Sequence, residues 1–192
     1  FGSRSAFAQS NQVIDLGNRR ELFIDDHLVG EIKDVQLMVH RPTREEIAVN
    51  CDKPWEGNGC GYYTVLHDRQ ESVYRMYYHA WQIPTGVEPG GPLTIGYFES
   101  KDGINWDRPS LGLGEFNGSK DNNIILIRTD PQWHHASSQF APFYDTNPDT
   151  PESERFKAIG GLPLWGWVSA DGIHWKRTEQ PLITQGAFDT LN

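Results

Sequence analysis

Three short stretches of this 192-residue chain gather side chains that can move protons or hold polar ligands. In Asp52-Lys-Pro-Trp55-Glu56-Gly57, two carboxylates flank an indole, which offers proton transfer beside a flat apolar face. The second, Asp130-Pro-Gln-Trp-His134-His135, holds an imidazole pair suited to binding hydroxyls, a proton or, with carboxylates nearby, a metal. Neighbouring residues of a strand point to opposite faces, so at most one of the pair faces a common site, and His135 is the one we favour. The third is Asp189-Thr-Leu-Asn192 at the end of the chain. A plain structural role competes with each: Asp52 capping a turn, Glu56 in solvent, Trp55 packed in a core. Other carboxylates read as turn residues, namely Asp145 and Asp149 in a Pro-rich loop, Asp102 and Asp171 beside glycines, and the run Asp25-Asp26-His27. No Gly-rich phosphate loop and no zinc-like Cys/His spacing occurs, so neither a metal nor a cofactor is expected. Cys51 and Cys60 bracket the first stretch, either as a disulfide or as two buried thiols.

The elements that position these groups are short strands. The chain carries 19 Gly, 12 Pro, seven Trp and seven Tyr, a composition that suits many strands joined by tight turns. Ser100-Lys-Asp-Gly-Ile-Asn-Trp-Asp-Arg108 recurs as Ser169-Ala-Asp-Gly-Ile-His-Trp-Lys-Arg177, an internal repeat. Each Asp-Gly pair sits between strand-like runs, Thr94 to Glu99 or Leu164 to Val168 before it and Ile-x-Trp after it, which predicts a type I′ hairpin. Upstream, Tyr62 to His67 and Tyr74 to His79 precede the first copy, and Phe140 to Tyr144 and Arg155 to Ile159 precede the second. Each unit is therefore four strands within roughly 70 residues, the pattern of β-propeller blades that cover one another's faces. Trp106 and Trp175 are expected to pack between blades.

The expected class is all-β, a partial propeller over residues 13–192, with blade one about 58–110, blade two about 122–180 and the start of a third at 186–192. Glu21 to Asp25 and Gln36 to His40 read as an additional N-terminal strand pair. Two blades do not close a ring, so the chain reads as part of a longer protein. Residues 1–12 read as a disordered terminus or the remnant of a signal peptide, because Ala6-Phe7-Ala8 resembles a cleavage site; the latter implies a secreted or periplasmic protein. A formal charge of -9 repels a phosphate backbone, and no apolar run is long enough to span a bilayer, so neither nucleic acid nor membrane is an expected partner.

Several segments taken in order carry a family resemblance: Leu22-Phe-Ile-Asp-Asp-His-Leu28, Asp52-Lys-Pro-Trp-Glu-Gly57, Tyr74-Arg-Met-Tyr-Tyr78, Ser100 to Trp106, Asn122-Asn-Ile124 and Glu154-Arg-Phe-Lys157. Together they resemble the N-terminal half of bacterial proteins related to glycoside hydrolase family 32, which are similar to the five-bladed propellers of invertase, levansucrase and arabinanase. The resemblance implies a site in the axial funnel, with carboxylates from the starts of three innermost strands. One protonates the leaving oxygen, another acts as nucleophile or activates water, and a third steadies the oxocarbenium-like charge. Carried over, the first position falls on Asp52 or Glu56, although the family's Asn-Asp-Pro-Asn is absent and Asp52-Lys-Pro matches it only in part. The second falls in Arg128-Thr-Asp130-Pro, an Arg-Asp-Pro with one residue inserted, with His134 and His135 nearer the strand. The third falls on Asp189, where the family often has Glu, and Asn192 stands ready to bond a hydroxyl. What this implies is a hydrolase of oligo- or polysaccharides, with Trp55, Asp130, His134, His135 and Asn192 binding substrate. The alternative is a non-catalytic propeller that binds glycans or a protein partner.

Overall fold

The computed structural model describes residues 14–22, 24–25, 27–31, 33–36, 38–86, 90–128, 139–161 and 163–185. The chain forms two units, Phe1–Glu45 and Glu46–Asn192. In the first, the expected strand pair does not form among the described residues, which hold only turns such as the one where Asp25 accepts the His27 N–H at 2.9 Å. The cause is a lack of anything to bury: Leu22 is 81% and Val39 99% exposed, and two strands without a covered apolar face are marginal in water.

The second unit is all-β, and no helix among the described residues is long and apolar enough to cross a membrane. Strands β1 (Gly59–Asp68), β2 (Val73–Trp81), β3 (Thr94–Ser100) and β4 (Ile124–Ile127) form one antiparallel sheet in sequence order. Strands β5 (Ala141–Tyr144), β6 (Phe156–Gly160), β7 (Trp165–Ser169) and β8 (Lys176–Arg177) form a second. The expected runs fall on β1 to β3 and β5 to β7. The fourth strand of the first sheet differs. After Trp106 the chain makes a single bridge, Asp107 to Glu99, and Pro109, two residues on, has no N–H to give to a ladder. The fully buried run Ile124-Ile-Leu-Ile127 takes the edge instead, so the first sheet extends to residue 127 and the second begins at 141.

The two repeats also turn differently from a type I′ hairpin, which needs positive φ at both central residues. Of each Asp-Gly pair only the glycine has it, Gly103 at 76° and Gly172 at 73°. The Asp side chains do the turning: Asp102 Oδ1 accepts the N–H groups of Ile104 and Asn105 at 2.8 and 2.7 Å, and Asp171 Oδ1 those of Ile173 and His174 at 2.9 and 2.8 Å. Ser100 and Ser169 hydroxyls accept the glycine N–H groups at 2.8 and 2.9 Å.

A largely aromatic core joins the sheets: Tyr77, Ile95 and Tyr97 from the first meet Phe140, Phe156, Trp167 and Trp175 of the second unit half. Trp175 lies edge-on to Phe140, centroids 5.0 Å apart, and 6.1 Å from Tyr77. Trp106 packs on the opposite face of the first sheet, against the cluster of Met76, Tyr78, Ala80 and Phe98. Each repeat tryptophan thus covers the equivalent face of its own sheet. Burying each large aromatic stabilises by roughly 2–3 kcal/mol, against about 1 kcal/mol for a hydrogen bond. Apolar contact therefore dominates the junction, while directional bonds fix its register. Tyr77 donates to Gly172 O at 2.9 Å, and His79 Nε2 lies 3.2 Å from Phe140 O. A Cβ at Gly172 would stand 2.5 Å from the Tyr77 hydroxyl, so this position requires glycine for contact as well as for φ.

Candidate functional site

The segment Asn50 to Gly57 leads into β1 and carries the first group of chemical side chains. Pro54–Glu56 is one 3₁₀ turn, favoured by Pro at its start and closed by the Glu56 N–H on Lys53 O at 2.9 Å. The Glu56 carboxylate folds back to accept the Lys53 N–H at 2.8 Å. It thereby turns inward and is 0% exposed.

Inside, Glu56 is surrounded by donors. Tyr78 donates to Oε1 at 2.5 Å, and Arg108 Nη2 lies 3.1 Å from Oε1 and 3.2 Å from Oε2. Burial first, and then the Glu56 carboxylate, push the Tyr78 phenol well above its ordinary pKa, so Tyr78 keeps its proton as a donor. The Tyr78 oxygen accepts from Asn123 Nδ2 at 2.9 Å, and Asn123 Oδ1 accepts the Trp55 indole N–H at 2.8 Å. One continuous chain of bonds therefore runs from Trp55 through Asn123, Tyr78 and Glu56 to Arg108. The guanidinium is further held by Asn50 O at 2.6 Å and by the Phe98 ring, 5.0 Å below it.

Asp52 meets the same guanidinium from outside, at 3.4 Å, with Lys53 Nζ 3.3 Å away. Its side chain is 61% exposed, and the Lys53 bond, then the charges of Lys53 and Arg108, hold its carboxyl below the ordinary 3.8. The two carboxylates of the first stretch thus converge on Arg108 and differ in role. Glu56 is fully bonded and out of contact with solvent, whereas Asp52 is ionised and open.

Beside this network lies a cleft of about 340 Å³. It sits at the edge of the first sheet where β1 and β3 begin and β2 and β4 end. Trp55 and Phe116 supply aromatic walls, Ile127 further apolar surface, and Gln82, Glu115 and Asn117 the polar groups. Phe116 and Asn117 are held by a tight loop in which Phe116 and Ser119 exchange backbone bonds at 2.9 and 3.0 Å, with Asn117 at φ 50°. Asn is one of the few residues with a side chain that adopts that conformation readily.

Of the expected site residues, Asp52, Trp55 and Glu56 come together here. Asp130, His134, His135, Asp189 and Asn192 lie outside the described residues. Reading the chain alone missed Gln82, Glu115, Phe116 and Asn117, although Asn117-Gly118 is a turn signal that marks the loop. It also missed Arg108, whose repeat counterpart Arg177 lies 4.0 Å over the Trp165 ring. Among the described residues no group of three or more His, Cys, Asp and Glu is placed to hold a metal ion. Compared with protein-family models, curated proteins and solved structures, the chain has no match.

Proposed function

We propose that this chain is part of a carbohydrate-acting β-propeller, its two four-stranded sheets being consecutive blades, and that the cleft against Trp55 receives a saccharide. The observation that carries this reading is the lining. Two aromatic faces stand with two amides and a carboxylate, matching a ligand with apolar ring faces and many hydroxyls. Glu115, in a chain of net charge -9, disfavours an anionic ligand. The reading includes action outside the cytoplasm, on the strength of Ala6-Phe7-Ala8.

Hydrolysis is the fuller form of the proposal and rests on the family resemblance, in which Asp52, three positions before Trp55 and not itself part of the cleft lining, takes the first carboxylate position. Held ionised by Lys53 and Arg108, Asp52 suits a nucleophile or base. Glu56 then serves as a positioning residue that fixes Arg108, and Asp189 is the further carboxyl that the family resemblance supplies, as base or stabiliser in place of the family's Glu. Titration calorimetry with a panel of neutral oligosaccharides tests the binding. Phe116→Ala is expected to weaken it about tenfold, or ~1.4 kcal/mol, and Trp55→Ala at least as much. Absence of binding across the panel, or indifference to both substitutions, refutes the cleft. Reducing-end release reads hydrolysis, which Asp52→Asn should lower by about a hundredfold or more.

A further inference from the structure

Cys51 and Cys60 stand on either side of the turn that carries Trp55 and Glu56, and the chemistry described so far uses neither. Both are free thiols, both are partly exposed, and both pack against the Met76, Tyr78, Ala80 and Phe98 cluster. Each thiol acts on the other's ionisation. Cys51 Sγ lies 3.3 Å from the Tyr63 hydroxyl, and Cys60 Sγ 3.9 Å from Glu56 O. Two thiols side by side at the base of one short loop form a constellation different from two separate core cysteines. One can attack an external sulfur, and the other can displace it.

We propose that Cys51 and Cys60 are a thiol–disulfide exchange site, with Cys51 the attacking sulfur and Cys60 the resolving one, which accepts oxidising equivalents from low-molecular-weight disulfides and closes the loop around Trp55 and Glu56. The Cys51 thiolate attacks one sulfur of glutathione disulfide, forming a mixed disulfide and releasing one glutathione thiolate. Cys60 loses its proton and attacks the Cys51 sulfur, making the Cys51–Cys60 bond and breaking the bond to glutathione. A dithiol is oxidised, one glutathione disulfide is reduced to two glutathiones, and the two thiol protons leave on them.

The division of labour follows from the surroundings. The Cys60 S–H is the first cause that lowers the Cys51 thiol, which burial opposes and the Tyr63 hydroxyl assists, to about 7, where attack on disulfides is efficient. Cys60 is pushed up first by its bond to Cys51 and then by burial, so it stays protonated while Cys51 is a thiolate. Once the Cys51 sulfur is in a mixed disulfide, that negative charge is gone, and Cys60 is freed to ionise. This inference is independent of the saccharide reading, because it uses no group that lines the cleft.

The test follows the reduced full chain in glutathione and glutathione disulfide at neutral pH by acid quench, alkylation and intact-protein mass. The parent should convert to a species lighter by two hydrogens and without alkylatable thiols, the glutathione adduct being transient. Cys60→Ser should accumulate a stable adduct at Cys51, whereas Cys51→Ser should react about tenfold more slowly or less. Near-UV dichroism checks that both variants keep the parent fold. A parent that accumulates the adduct without closing, or that leaves both thiols unmodified while folded, overturns the proposal.

Discussion

The position of Glu56 makes the severest test of how the site is built. Replacing it by Gln keeps the volume but removes the charge that Arg108 faces at 3.1 and 3.2 Å, and sets an amide beside the Tyr78 hydroxyl. Removing one partner of a buried ion pair costs roughly 3–5 kcal/mol. Arg108 is 19% exposed and keeps Asn50 O and Asp52, so the lower figure, about 3 kcal/mol, applies to Glu56→Gln. Arg108→Met leaves the carboxylate buried with only Tyr78 and the Lys53 N–H, and should cost about 4 kcal/mol. Because the groups share one network, the double variant should lose less than the sum of the two by about 2 kcal/mol. Urea unfolding followed by tryptophan emission supplies all three values. Single losses below about 1 kcal/mol, or additivity within ~0.5 kcal/mol, would refute the network. A Glu56→Gln protein of unchanged stability that had lost saccharide turnover would reassign Glu56 to catalysis.

Other expectations follow from the same contacts. Tyr77→Phe leaves Gly172 O one donor short at the junction of the sheets and should cost roughly 1–2 kcal/mol in the same unfolding assay; no loss would mean that the bond does not fix the junction. Asp145 is held at about 2, first by Lys157 at 2.7 Å and then by the Asn147 N–H, below the ordinary 3.8. Its stabilisation is therefore complete above the unfolded value and is lost as pH falls through about 2, and Asp145→Asn should flatten that part of the stability–pH curve. If the loop from Cys51 to Cys60 closes, the oxidised protein should resist urea by roughly 2–3 kcal/mol more than the reduced one.

How far the chain could be read from its residues depended on whether the deciding contact was local. Strands β1 to β3 and β5 to β7 carry alternating or bounded apolar runs between turn residues, and those signals survive folding. The edge strand Ile124–Ile127 has no alternation, and its partner Thr94–Gly96 lies beyond a long excursion, so only the sheet identifies it. The Asp-Gly pairs were legible as turns but not as to type, because serine and aspartate side chains provide the bonds that a type I′ turn takes from the opposing backbone. At the site, Asp52, Trp55 and Glu56 were legible as a cluster. That Glu56 faces inward was not, since Tyr78 and Arg108, 22 and 52 positions away, hold it there.

The Ser-x-Asp-Gly turns have a consequence for how such a protein can arise. Every bond that shapes the first turn, from Ser100 Oγ on Asp102 at 2.9 Å to Asn105 Nδ2 on Asp102 at 2.8 Å, begins and ends within six consecutive residues, and the second turn repeats the pattern. A gene segment encoding such a unit can be duplicated in tandem with the bonds that shape its turn already contained in the new copy. The apolar faces and a few cross-sheet bonds, such as that from Tyr77 to Gly172 O, then need a neighbour, and the neighbouring copy presents one. Lengthening the chain by whole sheets is on this view an easy evolutionary step.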